Sequence, residues 1–391
     1  MSEAILTLNA GSSSIKFALF KASTALARIA VGQMENIGGA PHFVIRGVDG
    51  TVIFEKSWPS GAGLSHRDLL GPVLDWVEHH LGDAKLIACG HRIVHGGWLF
   101  TKPVQLDAAK LSSLVKFNPL APLHEPNNLA AVQAVMALRP GLPQIGCFDT
   151  SFHTTMPERA TRIALPKQLR DEGVRRYGFH GLSYEYIAGA LHRLAPEIAE
   201  GKVVAAHLGG GASVCAMLNG KSIDTSMGFT GLDGLIMGTR CGAIDAGVLL
   251  YLMQPGGMSA EAVSELLYKQ SGLLGMSGIS SDMRVLLASQ DKAAQQAVES
   301  FNYAAAQQIG ARIVALQGLD GLVFTAGIGE HSPEIRAGIC AHLAWLGIEI
   351  DAPLNARNAT RINTAGSKIA VFVIPTDEEA MIAKHCLDNL A

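Results

Sequence analysis

The same local pattern occurs twice in the chain. Near the amino terminus an apolar run reaches residues 9–14 (NAGSSS) and continues as IKFALF, and a second run reaches residues 207–213 (HLGGGAS) and continues as VCAML. Small residues in such a turn let several backbone N–H groups approach a phosphate without bulky side chains in the way. The repetition predicts one phosphate-binding turn in each half of the chain, although two ordinary hairpins remain the alternative.

The rest of the chain alternates strand-like runs with helical patterns. The segment LIACGHRIVHG is strand-like, whereas SHRDLLGPVLDWVEHHL has its apolar residues on one helical face and Ser65 at the position of an N-cap. A long Ala-rich helix is predicted from Asp291 to Leu316. This alternation predicts an α/β fold throughout, and a length of 391 residues allows two to three domains.

Charge and composition exclude several function classes. With 31 basic and 34 acidic residues, the net charge of -3 lacks the basic excess that nucleic-acid binding requires. No apolar run approaches the ~20 residues of a membrane span, and MSEAILTLNAG does not have the pattern of a signal peptide. The six cysteines are far apart and lie mostly in apolar runs, which is typical of buried thiols. We therefore expect a cytoplasmic protein that binds neither nucleic acid nor membranes.

Other nucleotide-binding and hydrolase motifs are missing. The sequence contains no G-x-x-x-x-G-K-[ST], no G-x-G-x-x-G opening a helix after the first strand, and no G-x-S-x-G. A third glycine turn, AGIGE at residues 326–330, follows the strand-like LVFT and would suit a nucleotide's base and ribose. These observations favour a phosphate-binding α/β protein of a different type.

Nine segments then carry a specific resemblance. In chain order they are LTLNAGSSSIKFALF, GHRIVHGG, PLAPLHEPNN, CFDTSFH, RRYGFHGLS, HLGGGAS, MGTRCGAID, AGIGEHSPEIR and IPTDEEAMIA. In this order and over almost the whole chain they resemble the acetate kinases of the acetokinase family. The resemblance implies a duplicated actin-like (ribonuclease H-like) α/β fold with a nucleotide cleft between two domains. The first domain would comprise residues 1–150 joined by 378–391, and the second residues 151–377.

The resemblance also implies an activity. It is the reversible reaction of ATP with acetate to give ADP and acetyl phosphate, with Mg²⁺, or Mn²⁺ in its place, in a homodimer. Propionate is the alternative acyl substrate. An actin-like protein that assembles without catalysis is a further alternative, but it would not need the arginine pair described next.

Two arginines are the candidates for phosphoryl-transfer chemistry, which requires positive charge around the transferred group. Arg92 lies in the apolar segment GHRIVHGG, where a guanidinium without a partner would be costly to bury. A structural ion pair is the alternative reading of that residue. Arg240 lies among glycines, which indicates a loop that approaches or closes over a ligand.

The resemblance assigns roles to the residues of these motifs. It implies that Arg92 binds the acyl carboxylate, that Arg240 and His180 stabilise the transition state, and that Asp149 is the catalytic aspartate. From sequence alone His180 could equally be a core histidine. Since a carboxylate nucleophile is already ionised near pH 7, a base is scarcely needed. We therefore hypothesise that Asp149 positions Mg²⁺ or its waters and the nearby arginines.

The remaining site residues are also implied by the resemblance. Asn9 and Glu378 are the magnesium positions. Independently of the resemblance, the spacing of Thr376 and Glu379 predicts a capping box that would open the last helix. The substrate pocket comprises Val94, Leu123, His124, Phe179 and Gly231. The nucleotide-binding residues are Ser12, Ser14, Lys16, His207, Leu208, Gly209, Gly210, Gly211, Asp282, Met283, Arg284, Gly327, Ile328, Gly329, Glu330 and His331.

The chain departs from the family pattern at a few positions. Gly210 stands where an asparagine is expected, Gly231 where a proline is expected, and Cys241 and Ala243 where serine and aspartate are expected. A glycine in place of the proline would enlarge the acyl pocket. We therefore expect propionate to be accepted better than in typical acetate kinases.

Overall fold

The structure is a computed structural model that describes residues 3–11, 13–61, 63–122 and 124–390. The chain divides into two compact units. One comprises Met1–Ser151 together with Asp377–Ala391, and the other comprises Phe152–Thr376. Each unit is built around its own β-sheet.

The first unit contains an eight-stranded sheet. Its strands are β1 (Glu3–Ala10), β2 (Ile15–Lys21), β3 (Arg28–Glu35), β4 (His42–Gly47), β5 (Val52–Ser57), β6 (Lys85–Ile93), β7 (Val104–Gln105) and β8 (Gln144–Phe148). They lie in the order β5-β4-β3-β2-β1-β6-β8-β7. Strands β1 to β5 pair antiparallel in sequence order, whereas β1, β6 and β8 run parallel.

Helices cover one face of this sheet. They are α1 (His66–Leu81), α2 (Ala108–Leu114) and α3 (Glu125–Leu138), with a 3-10 helix at Val115–Leu120. The N-cap predicted at Ser65 is confirmed, because its side chain accepts the Asp68 N–H while the Asp68 carboxylate accepts the Ser65 N–H. The buried face of α1 packs into the same core as Leu6, Leu8 and Phe17 of the sheet.

The second unit repeats the central part of this topology. Its strands are β9 (Lys202–Leu208), β10 (Ala212–Leu218), β11 (Lys221–Thr225), β12 (Gly321–Thr325) and β13 (Ala370–Val373), in the order β11-β10-β9-β12-β13. Two antiparallel pairs are followed by two parallel pairs, as in β3-β2-β1-β6-β8 of the first unit. The turns at residues 9–14 and 207–213 thus join equivalent strands.

Most of the helices belong to the second unit. They are α4 (Glu158–Thr161), α5 (Lys167–Asp171), α6 (Gly181–Leu194), α7 (Pro196–Ala199), α8 (Ala246–Met253), α9 (Ala260–Lys269), α10 (Gly272–Ser277), α11 (Met283–Ala288), α12 (Lys292–Leu316), α13 (Ala326–His331), α14 (Pro333–His342) and α15 (Ala352–Ala356). Two 3-10 helices lie at Ser151–Thr155 and Ala344–Leu346. The predicted Ala-rich helix is α12, and Asp291 is its N-cap. None of the described helices combines the length and the apolar character that a bilayer span requires.

The last helix, α16 (Glu378–Leu390), returns to the first unit and packs against β1 and β6. The capping box expected from Thr376 and Glu379 is wrong. Asp377 supplies the cap, since its Oδ1 accepts the Ala380 N–H at 3.0 Å. The Thr376 hydroxyl is buried without a hydrogen-bond partner among the described residues. The helix therefore starts one residue later than a cap at Thr376 would require.

Candidate active site

Arg92 and Asp149 meet at one edge of the first unit's sheet. Arg92 lies near the end of β6 and Asp149 directly follows β8, and these adjacent parallel strands bring their carboxyl ends together. Arg92 Nη2 lies 2.6 Å from Asp149 Oδ2, and Arg92 Nε lies 3.2 and 3.1 Å from the two carboxylate oxygens. The Asp149 side chain is 1% exposed and that of Arg92 is 20% exposed. This is a nearly enclosed, forked ion pair, of the kind that fixes a guanidinium in one orientation.

Asn9 and Glu378 contact the same guanidinium. Arg92 Nη1 donates to Asn9 Oδ1 at 3.3 Å, and Arg92 Nε lies 3.6 Å from Glu378 Oε2. Burial by itself lowers the pKa of Arg92, but the negative charges of Asp149 and Glu378 outweigh it and raise that pKa above its ordinary value. Burial also raises the pKa of the Glu378 carboxyl, against the opposing effect of the Arg92 charge. The predicted metal and acyl-binding residues of this unit thus form one cluster of oxygens around a permanent cation.

The first glycine turn lies beside this cluster. Lys16 is exposed on β2 and stands opposite Asn9 in the β1–β2 register. The turn is closed by a hydrogen bond from the Gly11 N–H to the Ser14 carbonyl at 2.8 Å. Ser12, also predicted to bind nucleotide, lies outside the described residues. Lys16 therefore adds a second positive charge to the turn side of the cluster.

The loop that follows β6 is held by side chains through four successive backbone N–H groups. The pairs are Val94 N–H to Asn128 Oδ1 (3.0 Å), His95 N–H to Glu125 Oε2 (3.0 Å), Gly96 N–H to Thr150 Oγ1 (3.1 Å) and Gly97 N–H to His95 Nδ1 (2.8 Å). Asn128 also donates to the Ala10 carbonyl at 2.6 Å. One side chain therefore connects the predicted acyl-pocket residue Val94 with the end of β1.

Glu125, which accepts a hydrogen bond from the loop after β6, is completely buried, with 0% exposure. Burial raises the pKa of Glu125 to about 8, and the negative charge of Asp149 adds to the effect, while the His95 N–H acts in the opposite direction. Oε1 of Glu125 has no hydrogen-bond partner within the described segments. A buried oxygen of this kind favours the neutral acid over the carboxylate. The preceding His124, expected near the substrate, is the N-cap residue of α3, and Leu123 lies outside the described residues.

In the second unit, His180 and His207 stack on each other. Their ring centroids lie 4.1 Å apart with an interplanar angle of 17°. Nδ1 of His180 lies 2.8 Å from Ser213 Oγ, and Nδ1 of His207 lies 2.8 Å from Ser183 Oγ. His180 precedes α6 in the left-handed region, with φ 59° and ψ 27°. Such a conformation is uncommon for a residue other than glycine and is found disproportionately at functional sites.

The second glycine turn brings His180 and Arg240 together. A Cβ atom on Gly211 would lie 3.3 Å from His180 Nε2 and 4.0 Å from Arg240 Nη1. Arg240 Nη1 donates to the Gly231 carbonyl at 2.9 Å, and the Gly238 N–H donates to the Gly210 carbonyl at 3.2 Å. The segment from 226 to 245 has neither helix nor strand, as its glycines predict. This loop contacts the turn and carries the arginine to it.

The third predicted glycine turn is instead the short helix α13. Ala326 opens it in the left-handed region, with φ 63°, and its N–H donates to Glu330 Oε1 at 2.7 Å. The same oxygen accepts the Thr376 N–H at 3.1 Å. The expectation of a turn is wrong because the Glu330 carboxylate closes a helical turn over these residues. Gly327 has open space at its Cβ position, while His331 is exposed.

The segment around Asp282 lies next to the loop at residues 226–245, which carries Arg240. A Cβ atom on Gly238 would lie 3.2 Å from the Ser281 carbonyl oxygen. Asp282 caps α11 and pairs with the exposed Arg284 at 2.6 Å, and the intervening Met283 is buried. An exposed pair can exchange partners at little cost. Of these three predicted nucleotide residues at the start of a short helix, Arg284 is exposed, Asp282 is half-buried and Met283 is buried.

Most of the described site residues that the sequence predicted therefore gather in two clusters, one in each unit. The first-unit cluster consists of Asn9, Lys16, Arg92, Asp149 and Glu378. The second-unit cluster consists of His180, His207, Leu208, Gly209, Gly210, Gly211, Gly231 and Arg240. The segment 326–331 adjoins this cluster, because a Cβ atom on Gly209 would lie 3.6 Å from Ala326 Cβ. Phe179, predicted for the acyl pocket, is buried directly before His180.

Sequence reasoning missed the residues that hold these clusters in place. Ser213 and Tyr184 form a hydrogen-bonded chain to His180, and Glu125, Asn128 and Thr150 hold the loop after β6. The sequence does contain a pattern that points to Ser213 and Tyr184. Ser213 ends the HLGGGAS segment, and Tyr184 lies four residues after His180, which is the spacing of neighbours on one helix face.

Comparison with known proteins gives consistent results. Residues 4–384 match the sequence profile of the Acetokinase family. The chain is 51% identical to an acetate kinase from Rhodopseudomonas palustris over 391 residues, covering 98% of both, and 48% identical to one from Nitrobacter hamburgensis, covering 99% and 96%.

Solved structures resemble the chain over its whole length. A propionate kinase from Francisella tularensis has a TM-score of 0.91 at 38% identity, with 98% of each chain covered. Acetate kinase from Porphyromonas gingivalis has a TM-score of 0.88 at 36% identity, with 100% of each chain covered. These likenesses confirm the predicted duplicated actin-like α/β fold.

Proposed function

The chain belongs to the acetokinase family, and from this premise we propose that it is an acetate kinase. It transfers a phosphoryl group reversibly from ATP to acetate and yields acetyl phosphate and ADP. The observation that carries this proposal is the enclosed cluster in which Arg92 is held by Asp149 with Asn9 and Glu378 beside it. The two compact units are, in this proposal, the two domains of the duplicated fold.

Arg92 binds the carboxylate of acetate. Its guanidinium carries a permanent charge and is oriented by Asp149, so it can present N–H groups to a planar carboxylate at little entropic cost. Acetate is ionised near pH 7, so one of its oxygens attacks the γ-phosphorus of ATP without prior loss of a proton. The bond from the γ-phosphorus to the bridging oxygen breaks, and its electron pair remains on ADP.

The oxygens around Arg92 fit a magnesium ion. Asn9, Asp149 and Glu378 offer amide and carboxylate oxygens, the ligand type that Mg²⁺ prefers, and Mn²⁺ accepts the same donors. Asn9 and Glu378 would hold the ion, and the Asp149 side chain would orient its waters. A bound ion would neutralise phosphate charge. It would also favour the ionised form of Glu378, whose pKa burial raises.

The second-unit cluster binds the phosphoryl group. Arg240 supplies a positive charge, and the turn supplies the backbone N–H groups of Gly210 and Gly211, while the Gly209 N–H closes the turn by donating to the Gly211 carbonyl at 3.1 Å. His180 supplies one more hydrogen bond. Donors fixed in advance around the developing charge of the transferred group are the main means of catalysis for this reaction. Lys16, Ser12, Ser14 and the segments at 282–284 and 327–331 complete the proposed nucleotide-binding residues.

A homodimer is part of the proposal, and helix α8 supports it. The sequence of α8 is AGVLLYLM, and none of its residues is buried; Leu250 is 58% exposed and Tyr251 is 65% exposed. An entirely apolar helix with no buried residue marks an interaction surface. We infer that a second copy of the chain covers it. A cytoplasmic location stays a prediction.

The activity is tested by measuring acyl phosphate as its hydroxamate with acetate, propionate and butyrate side by side, with ATP and Mg²⁺. We expect the highest kcat/KM with acetate and measurable activity with propionate. An Arg92→Ala variant is the negative control. Absence of product with all three acids would overturn the proposal, and a higher kcat/KM with propionate would replace acetate by the alternative substrate.

A further inference from the structure

We propose that Tyr184 and Ser213 are positioning residues that hold His180 in its Nε2–H tautomer, so that the imidazole presents a neutral hydrogen-bond donor to the transferred phosphoryl group. This inference rests on the proposed function for its consequence but not for its geometry. Neither residue contacts the reacting atoms in the proposed mechanism. Both act through His180.

The three side chains form a continuous hydrogen-bonded chain. Tyr184 Oη lies 2.6 Å from Ser213 Oγ, and Ser213 Oγ lies 2.8 Å from His180 Nδ1. Tyr184 and Ser213 are both 0% exposed. Tyr184 lies one helical turn after His180 on α6, and Ser213 lies on β10 directly after the second glycine turn. The chain therefore connects the helix and the turn through buried hydroxyl groups that water does not reach.

The donor and the acceptor in each of these hydrogen bonds follow from where each proton can go. Burial raises the pKa of Tyr184 well above its ordinary value, so its hydroxyl keeps its proton. Within the described part of the chain, Ser213 Oγ is the acceptor that the structure places within reach of the Tyr184 proton. Tyr184 therefore donates to Ser213. If Ser213 donated to Tyr184 instead, the buried Tyr184 O–H would have no acceptor, which is energetically costly.

The acceptor of the Ser213 hydroxyl proton is then determined as well. Ser213 Oγ accepts from Tyr184, and its own proton has His180 Nδ1 as its partner. An imidazole whose Nδ1 accepts a hydrogen bond carries its proton on Nε2 when it is neutral. A Cβ atom on Gly211 would lie 3.3 Å from that nitrogen, so the Nε2–H faces the glycine turn.

This direction matters for phosphoryl transfer. The γ-phosphoryl oxygens carry negative charge throughout the reaction, so a donor attracts them and a nitrogen lone pair repels them. The stacked ring of His207, 4.1 Å away, keeps the plane of His180 fixed while the hydroxyl chain sets the proton. Without Ser213, Nδ1 would lose its buried donor and the two neutral tautomers would compete.

The test reads the tautomer directly by NMR. The enzyme is labelled with ¹⁵N at the histidine rings, the His180 signals are assigned by their loss in His180→Gln, and long-range ¹H–¹⁵N correlations distinguish protonated from unprotonated ring nitrogens. We expect an unprotonated Nδ1 and a protonated Nε2 in the wild type. We expect mixed tautomers in Ser213→Ala and in Tyr184→Phe, with restoration of the wild-type pattern in Ser213→Thr.

The kinetic readout accompanies the spectrum. Ser213→Ala should lower kcat by about 10-fold or more while the KM for acetate changes little, because the lost donor acts on the phosphoryl group. Thr7→Val is the matched control, since it removes a hydroxyl from a residue that is as buried as Ser213 and that donates to the Ala18 carbonyl at 3.2 Å in the first unit. It should leave both the tautomer of His180 and kcat close to wild type.

Two outcomes separate the inference from the proposed function. A proton on Nδ1 of His180 in the wild type, or an unchanged tautomer in both Ser213→Ala and Tyr184→Phe, would overturn the inference whatever the activity. The expected tautomers in a protein that forms no acyl phosphate would uphold the positioning and overturn the function. If Ser213→Ala fails to fold, the wild-type spectrum and Tyr184→Phe still decide the question.

Discussion

Arg92 Nη2 lies 2.6 Å from Asp149 Oδ2, and Arg92 Nε lies within hydrogen-bonding distance of both oxygens of the same carboxylate. Asp149 is therefore fully engaged with a cation in a nearly enclosed position. This arrangement supports a positioning role for Asp149 over that of a general base. A carboxylate bonded in this way orients the guanidinium, and through it the acyl substrate.

Asp149→Asn tests that role. The amide keeps the shape but removes the charge that compensates a buried guanidinium, so we expect kcat to fall by about 100-fold or more, with a raised KM for acetate. The Mg²⁺ concentration needed for half-maximal rate should also rise, which initial rates over a Mg²⁺ series at several acetate concentrations will show. Asp75→Asn, at an exposed ion pair with Arg139, is the control. Lost activity with an unchanged Mg²⁺ dependence would refute the positioning of the metal.

Glu125 predicts a pH dependence of stability. Its pKa is about 8 in the folded protein, against an ordinary value of 4.5, so between these values the folded state binds a proton that the unfolded state has lost. Stability from this group is therefore highest below about pH 4.5 and declines as pH rises towards about 8. Thermal unfolding of Glu125→Gln should show a Tm that rises relative to wild type by a few degrees from pH 5 to pH 8. The exposed Glu35→Gln is the control, and parallel Tm profiles for wild type and Glu125→Gln would contradict the assignment.

Helix α8 predicts the effect of a charge on assembly. Leu250→Asp places a carboxylate on a surface that we propose to be buried between copies, where an unpaired charge costs several kcal/mol. Light scattering after size exclusion should show a dimer for wild type and a monomer for the variant at micromolar concentration. Val48→Asp, at a 73% exposed position of the first unit, should stay dimeric. If Leu250→Asp is still a dimer by light scattering, the interface does not include α8.

Gly231 predicts the acyl-chain preference. Its carbonyl accepts from Arg240 Nη1 at 2.9 Å, and proline keeps that carbonyl while it adds a ring. One methylene in an apolar pocket is worth about 1–3 kcal/mol, so Gly231→Pro should lower kcat/KM for propionate several-fold relative to acetate. Gly231→Ala, whose Cβ would lie 3.3 Å from Arg240 Nη1, controls for the effect on the arginine alone. A wild-type kcat/KM for propionate equal to or below that of the proline variant would be the contrary result.

Several features could be predicted from the sequence because they depend on neighbours along the chain. The cap at Ser65, the helix that begins after Asp291 and the glycine loop around Arg240 are all set within one or two helical turns or a few peptide units. The repeated turns at residues 9–14 and 207–213 likewise predicted a strand, a turn and a second strand in each half, and each turn does join two adjacent antiparallel strands. A local prediction was wrong where two adjacent residues could both cap a helix. Asp377, and not Thr376, is the N-cap of α16.

Only the tertiary structure decided which distant residues share an environment. The strand order β1-β6-β8 places Asn9, Arg92 and Asp149 at one edge, and the packing of α6 against the sheet of the second unit places Tyr184 beside Ser213. Burial of Glu125 and the direction of the proton chain to His180 depend on every group that surrounds them in space. Periodicity and capping act over a few residues, whereas desolvation and hydrogen-bond satisfaction are properties of an assembled core, so the sequence determined the elements and the fold determined their chemistry.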